Sequence, residues 1–264
     1  MMKIMNILAI LSLLANADES AKVSMSTIQT SNSLTVSEAI VKDYKSFYSS
    51  ERLMSLGIGF LAGGILANTQ VDENIQNWYQ DDIRSSNTDD FSNIAKQFGE
   101  GKYLIPIALL SAGLNFYDPE LEIGVWGVYA SRAYFIGAPV LIATQVSTGA
   151  SRPNEQDYGS QWNPLNDNNG VSGHAFIGAV PFLTLAHMYE DNSIVKYLAY
   201  AGSLLTAWSR VNDNSHYFSQ AALGWYLAYE SVDAVFNADK KTKNLSVTPV
   251  LGRDSYGIQV QMKW

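Results

Sequence analysis

The chain contains no cysteine and only three histidines among its 264 residues. The absence of cysteine excludes disulfide bonds and thiol catalysis, so packing alone must hold the fold together. Charged residues are also scarce, at 16% compared with about 25% in an average soluble domain. Because the net charge is −8 and no stretch is rich in lysine and arginine, the composition argues against nucleic acid as a partner.

The first 17 residues have the pattern of a secretory signal peptide. Lys3 precedes an apolar stretch over residues 4–14, and Ala15-Asn16-Ala17 forms a cleavage site of the small-x-small type. The alternative is a core or membrane helix, but the stretch is much shorter than the roughly 20 residues that span a bilayer. We therefore expect an exported, periplasmic protein, in which the Ser- and Thr-rich residues 18–37 form a flexible linker.

Helical periodicity dominates the remainder of the chain and predicts a helical domain over residues 38–238. The main apolar helical stretches are 53–71, 103–117, 123–151, 172–189, 195–209 and 216–236. In the tail, residues 239–264, alternating residues at 246–248 and 258–261 predict a β-hairpin. The expected fold is all-α, a bundle of about six core helices followed by a short C-terminal β-hairpin.

Two of the three histidines lie at the predicted starts of helices. His174 follows Ser172-Gly173, and His216 follows Ser209-Arg210 after five residues. A helix N-terminus suits a bound phosphate, and an arginine can grip phosphate oxygens through two hydrogen bonds. In an up-and-down bundle the helix ends at Arg152, Ser172, Arg210 and His216 lie on one face. The pattern therefore predicts one phosphate pocket built from four segments.

These segments resemble the three-part signature of the phosphatidic-acid phosphatase type 2 superfamily. That signature reads Lys, six residues, Arg-Pro; then Pro-Ser-Gly-His; then Ser-Arg, five residues, His, three residues, Asp. The superfamily includes bacterial acid phosphatases, lipid phosphate phosphatases and vanadium haloperoxidases. The motifs extend over roughly residues 145–220 and match here at Arg152-Pro153, Ser172-Gly173-His174 and Ser209-Arg210 with His216.

The resemblance implies a role for each matching residue. His216 would be the nucleophile that forms a phosphohistidine, and His174 the acid that protonates the leaving alkoxide and later activates water. Arg152 and Arg210 would hold the phosphate oxygens. The backbone N–H groups of Ser172 and Gly173 would complete an anion cradle.

Three positions depart from the signature. Gln145 stands where the family has lysine, Val171 where it has proline, and Gln220 where it has aspartate. Gln220 lies four residues beyond His216, on the same helix face, so its amide oxygen can orient the imidazole. An amide cannot stabilise a developing positive charge as a carboxylate does. We expect a slower active site, and a catalytically silent binding or structural protein or a vanadium-dependent haloperoxidase remain alternatives.

No metal or cofactor is expected, because histidines beside arginines without a carboxylate cluster make a poor zinc or magnesium site. The expected partner is a phosphorylated small molecule or lipid. His187 is assigned no role, since 13 residues of helix place it about 20 Å from His174. Asp213 is expected to be a solvated loop residue, or else to replace part of the missing carboxylate. The lysines at both termini disfavour a protein that spans the membrane six times after signal cleavage. We therefore expect a soluble or membrane-associated protein, with an integral membrane protein as the alternative.

Overall fold

The structure is a computed structural model that describes residues 36–155, 159–251 and 256–262, with side chains described as far as Lys240. The predicted signal peptide and almost all of the predicted linker lie outside the described residues. The α-helices are α1 (Val36–Phe47), α2 (Ser50–Ala67), α3 (Gln70–Trp78), α4 (Ser86–Ala95), α5 (Gly101–Leu114), α6 (Glu122–Thr148), α7 (Gly173–Met188), α8 (Ser193–Ser203), α9 (Leu205–Asn212) and α10 (Phe218–Asn244). A π-helical turn, Tyr79–Ile83, follows α3, and a 3₁₀ turn, Lys96–Gly99, follows α4.

Helix α7 is the centre of the bundle. It packs against α6, α8, α9 and α10, and most of its side chains are buried. Its sequence is apolar on every side, as expected of a helix enclosed by others. Gly224 allows the close approach of α10, because a side chain there would collide with the carbonyl group of Ser172. The start of α7 and the first turns of α10 are thereby brought together.

The region predicted as one helix over residues 195–209 is two helices, α8 and α9, that meet at Leu204. The Ser203 hydroxyl donates to the carbonyl of Tyr200 at 2.6 Å and accepts the indole N–H of Trp225 at 2.8 Å. Serine side chains compete in this way with backbone hydrogen bonds and bend helices. The break makes the segment that carries Arg210 a helix separate from α8.

Two buried ion-pair networks connect the N-terminal helices to α10. Arg132 of α6 binds Asp43 of α1 at 2.7 Å and Asp239 of α10 at 2.9 Å. Arg52 of α2 binds Asp233 of α10 at 2.7 Å and also pairs with Glu230. Because removing one partner leaves a buried charge uncompensated, each network strongly couples these helices.

Helix α6 is, within the described residues, the one helix long and apolar enough to cross a membrane. Helices α2 and α3 with the following turn pass the same test only as a pair bent by 71°. About 56% of the apolar window of α6 is buried inside the protein, as in the core helix of a soluble protein. This is weak evidence for a membrane span.

Two strands follow α10 within the predicted tail. Strands β1 (Leu245–Leu251) and β2 (Tyr256–Met262) pair antiparallel, with Val247 opposite Val260. Residues 252–255 between them lie outside the described part of the chain.

Candidate active site

Two hydrogen bonds join three separate segments at one end of the bundle. The N–H of Ser172, just before α7, donates to the carbonyl oxygen of Gln220 in α10 at 2.9 Å. The side-chain nitrogen of Gln220 donates to the carbonyl oxygen of Ser151, just after α6, at 2.7 Å. The ends of α6, α7 and α10 therefore meet at Gln220, which is completely buried.

The chain turns sharply after α6 because Gly149 adopts a left-handed conformation, with φ of 59°. A side chain at this position would collide with the carbonyl group of Asn163. The N–H of Leu165 donates to the carbonyl of Val146 at 3.0 Å, which holds the following loop against the helix end. Glycine at 149 thus directs Arg152 back toward the start of α7.

Gln220 determines which ring nitrogen of His216 carries the proton. Its Oε1 lies 2.8 Å from Nδ1 of His216 and 3.2 Å from the backbone nitrogen of Tyr217. The Tyr217 N–H can only donate, and the Ser151 carbonyl at the other end of the amide can only accept, so the orientation of the amide follows from its partners. Nδ1 of His216 must then donate. The lone pair is left on Nε2, so this is the ring nitrogen that can act as a nucleophile.

His216 is held neutral. Its side chain is buried, and burial lowers its pKa to about 3, although the hydrogen bond that it donates to Gln220 acts in the opposite direction. The charges of Arg152, Arg210 and His174 lower this pKa further. A neutral imidazole keeps the lone pair that a nucleophile requires.

The backbone around His216 is closed by two hydrogen bonds to one carbonyl. The N–H groups of Ser215 and His216 both donate to the carbonyl oxygen of Arg210, at 2.9 and 3.1 Å. Asn214 adopts a positive φ of 55° within this loop, a conformation that asparagine tolerates well. The loop therefore couples the position of the arginine to that of the histidine.

His174 is the second residue of α7, and its side chain is exposed. Partial desolvation by the surrounding protein lowers its pKa, and the positive charges of Arg210 and Arg152 add to this effect, while Glu100 opposes it. A bound phosphate dianion would offset the arginine charges and favour the protonated imidazole. This is the form that a general acid requires.

The two arginines differ in the hydrogen bonds that their guanidinium groups already make. Arg152 is partly exposed and donates from Nε to Oδ1 of Asn169 at 2.7 Å. Arg210 is largely buried, lies 3.9 Å from the carboxylate of Asp213, and its Nε has no hydrogen-bond partner among the described residues. Burial lowers the pKa of Arg210, and the charge of Arg152 lowers it further. Arg210 thus keeps unused hydrogen-bonding capacity beside a concentration of positive charge.

The structure corrects one expectation about the anion cradle. The N–H of Ser172 is already bonded to Gln220, and the Ser172 hydroxyl caps α7 by accepting from the N–H of Ala175 at 3.3 Å. Among the two predicted N–H donors, this leaves Gly173, the first residue of α7. Gln145 lies beside it and donates from Nε2 to the carbonyl of Val171 at 2.9 Å. Gln145 therefore holds the approach to α7 without adding charge.

Two residues near the site carry no motif that sequence inspection would detect. Asn169 is buried in the turn before α7 and connects Arg152 to Glu155 and Asp167. Glu100, at the start of α5, acts electrostatically on both His174 and Arg210. The turn at residues 167–170 is visible in the sequence, but its contact with Arg152 is not.

The remaining candidates, Asp213 and His187, form contacts with groups other than His216 and Gln220. Asp213 accepts a hydrogen bond from the Ser92 hydroxyl at 2.6 Å and lies 3.7 Å from Lys96. It is therefore bound to α4 and to the turn that follows, which differs from the solvated residue expected. His187, in the last turn of α7, stacks on Phe236 with ring centroids 4.9 Å apart.

Across the described residues, no group of three or more His, Asp or Glu side chains is placed to hold a metal ion. Comparison with family models shows that residues 137–242 match the model described as the PAP2 superfamily. This range includes every residue singled out for the site from the three motifs. No curated protein and no solved structure matches the chain significantly.

Proposed function

Because residues 137–242 of this chain belong to the PAP2 superfamily, we propose that the protein hydrolyses a phosphomonoester or a lipid (pyro)phosphate through a phosphohistidine at His216, without a metal. Superfamily membership supports phosphatase activity in general terms. The observation that carries the specific proposal is the fixed tautomer of His216 beside two arginines. A neutral imidazole with a free Nε2, next to an unused guanidinium N–H, is suited to attack on a bound phosphate.

In the proposed first step, Arg210 and Arg152 bind the phosphate oxygens and Nε2 of His216 attacks phosphorus. The N–P bond forms as the bond from phosphorus to the leaving oxygen breaks, and His174 donates a proton to that oxygen. In the second step His174 takes a proton from water, the hydroxide attacks phosphorus, and the N–P bond breaks. The products are the alcohol and inorganic phosphate, and both histidines regain their starting protonation states.

Lipid contact is supported by large apolar side chains on the surface. Ile58 and Leu61 of α2 and Leu110 of α5 are exposed, and Phe116 and Tyr117 after α5 are 82% and 90% exposed. Large exposed apolar side chains are among the marks of a membrane interaction site. We propose an exported protein that lies against a membrane, with the helical domain at 38–238 carrying the site and residues 239–264 forming the tail.

A catalytically silent protein is the second candidate, favoured by the neutral amides at Gln145 and Gln220. A vanadium-dependent haloperoxidase is the third, although those same amides provide less charge for holding vanadate. The distinguishing experiment measures phosphate release from a phosphomonoester, with bromide oxidation in the presence of vanadate assayed in parallel. Phosphate release that is lost in His216→Ala supports the proposal. Bromide oxidation alone, or neither activity, contradicts it.

Chelation is expected to leave phosphatase activity unchanged, because the proposed chemistry uses imidazole and guanidinium groups only. Activity is measured before and after dialysis against EDTA, and then with added magnesium or zinc. Vanadate is expected to inhibit, since it mimics five-coordinate phosphorus. A loss of turnover with EDTA that divalent metal restores would show that the mechanism is wrong.

Acidification is expected to destabilise the protein partly through His216. Its pKa is lowered to about 3 in the fold from an ordinary value of 6.5, so between these values the unfolded chain binds a proton that the folded chain does not. This part of the stability is complete above pH 6.5 and is lost as the pH falls toward 3, by at most about 1.4 kcal/mol per pH unit. The free energy of unfolding is measured at pH 7 and pH 4 for the parent and for His216→Asn. Between these pH values it should decrease more in the parent than in the variant. Carboxylates titrate in both proteins, so their effect cancels when the two decreases are subtracted. An equal decrease in both proteins would contradict the lowered pKa of His216.

A further inference from the structure

We propose that helix α3, which lies outside the region matched by the family model, positions the nucleophile through Asp72 and Gln76. This inference rests on the proposed function for its catalytic meaning. The structural part of it concerns only how the ring of His216 is held.

Helix α10 begins without a capping side chain of its own. The residue before its first turn is Tyr217, which is not one of the short polar residues that cap helix starts. Gln220, the third residue of the helix, accepts the backbone N–H of Tyr217 at 3.2 Å. This contact is one half of a capping box.

Asp72 supplies the other half from a distant part of the chain. Its Oδ1 accepts the N–H of Ser219 at 2.9 Å, and its Oδ2 lies 2.5 Å from the Ser219 hydroxyl. Asp72 is completely buried, and no lysine or arginine forms an ion pair with it in the described part of the chain. A buried carboxylate without a cation is costly, so its energetic compensation comes from the helix start that it caps.

The same segment also holds the loop that joins α9 to α10. Gln76 of α3 donates to Oδ1 of Asn214 at 2.6 Å, which secures the residue with positive φ. Gln80, in the following turn, donates to the carbonyl of Val211 at 3.0 Å. These contacts therefore fall on the segment between Arg210 and His216 and on the first turn of α10.

The consequence is that the imidazole of His216 is aligned by two helices. Gln220 contacts the ring directly, and Asp72 fixes the turn from which Gln220 projects. When the cap is removed, the first turn of α10 is expected to fray and the hydrogen bond from Nδ1 of His216 to Gln220 to be lost for part of the time. Both tautomers of His216 would then be populated, and the fraction with a free Nε2 would decrease.

The experiment compares Asp72→Ala with Asp43→Ala. Asp43 is a matched control, because it is equally buried and anchors the opposite end of α10 through Arg132 and Asp239. The tautomer is read from the imidazole nitrogen shifts of ¹⁵N-labelled protein, which has only three histidines. Phosphatase kcat and KM are measured per mole of folded protein.

Asp72→Ala is expected to make the two nitrogen shifts of His216 converge and to lower kcat about tenfold with KM changed less than twofold. Asp72→Asn should restore both, since its amide oxygen can still accept the Ser219 N–H. Asp43→Ala should lower the melting temperature while leaving the His216 shifts unchanged. Where Asp72→Ala does not fold, Gln76→Ala is measured in the same way and should also shift the tautomer equilibrium.

An unchanged tautomer in the folded variant, or an equal change in Asp43→Ala, would overturn the proposal. A parent protein without phosphatase activity whose His216 tautomer still depends on Asp72 would refute the proposed function alone. The positioning role would stand in that case.

Discussion

Replacing His216 with alanine is expected to abolish the phosphoenzyme entirely, whereas His174→Ala should still form it from an aryl phosphate. A good leaving group needs little protonation, so loss of the acid affects alkyl phosphates far more, by roughly 10²- to 10⁴-fold. The Nδ1–H of His216 leaves the lone pair on Nε2, and His174, the proposed acid, is exposed at the start of α7. The measurement is rapid acid quench of the enzyme with radiolabelled substrate, followed by counting of protein-bound phosphate.

His187→Gln is the matched control for this pair, because His187 packs on Phe236 in the core. It should lower stability while leaving the phosphoenzyme level unchanged. Equal and complete loss in both His216→Ala and His174→Ala with an aryl phosphate would contradict the assigned roles. Labelled phosphate retained in His216→Ala but absent from His174→Ala would exchange them.

The second large effect is expected from Gln220→Leu, which should lower turnover about 100-fold. Leucine removes the partner of Nδ1 in His216 and leaves the N–H of Tyr217 and the carbonyl of Ser151 buried without their bonds to the amide. Each lost partner costs about 1–3 kcal/mol, and a change of about 1.4 kcal/mol in the barrier is tenfold in rate. Turnover is measured well below the melting temperature of each variant, with circular dichroism confirming the fold. A Gln220→Leu variant as fast as the parent would exclude residue 220 as the orienting partner.

Gln220→Asp should have the opposite effect and raise turnover about tenfold. A carboxylate facing Nδ1 forms a charge-assisted hydrogen bond and stabilises the positive charge that develops on the phosphorylated imidazole. In glutamine the amide nitrogen donates to the carbonyl of Ser151, whereas the second oxygen of an aspartate would be repelled by that carbonyl. Because aspartate is one methylene shorter, this second oxygen lies farther from Ser151. Both variants are compared with the parent in one assay. Turnover of Gln220→Asp at or below the level of Gln220→Leu would show that charge at this position does not assist the reaction.

The sequence by itself determined the helical class and the neighbourhood of the site. Apolar periodicity depends on local geometry, so it predicts where helices begin and end to within a few residues at Ser172 and His216. The four-residue spacing predicts the contact between His216 and Gln220 through one helical turn. The contact is present, but α10 begins only at Phe218, so the loop bonded to the carbonyl of Arg210 brings the ring of His216 to the amide. The roles assigned to these residues remain predictions.

Tertiary structure alone decided how the groups are held. The bond from Ser172 to Gln220 removed a donor that the sequence assigned to phosphate, and the bond from Arg152 to Asn169 could not be read from either motif. Asp72 caps a helix that begins 146 residues later, a pairing that no local pattern encodes. Hydrogen bonds between distant segments depend on how the helices pack, and packing is a property of the whole chain. For this reason the choice of tautomer at His216 belongs to the fold and not to the motif.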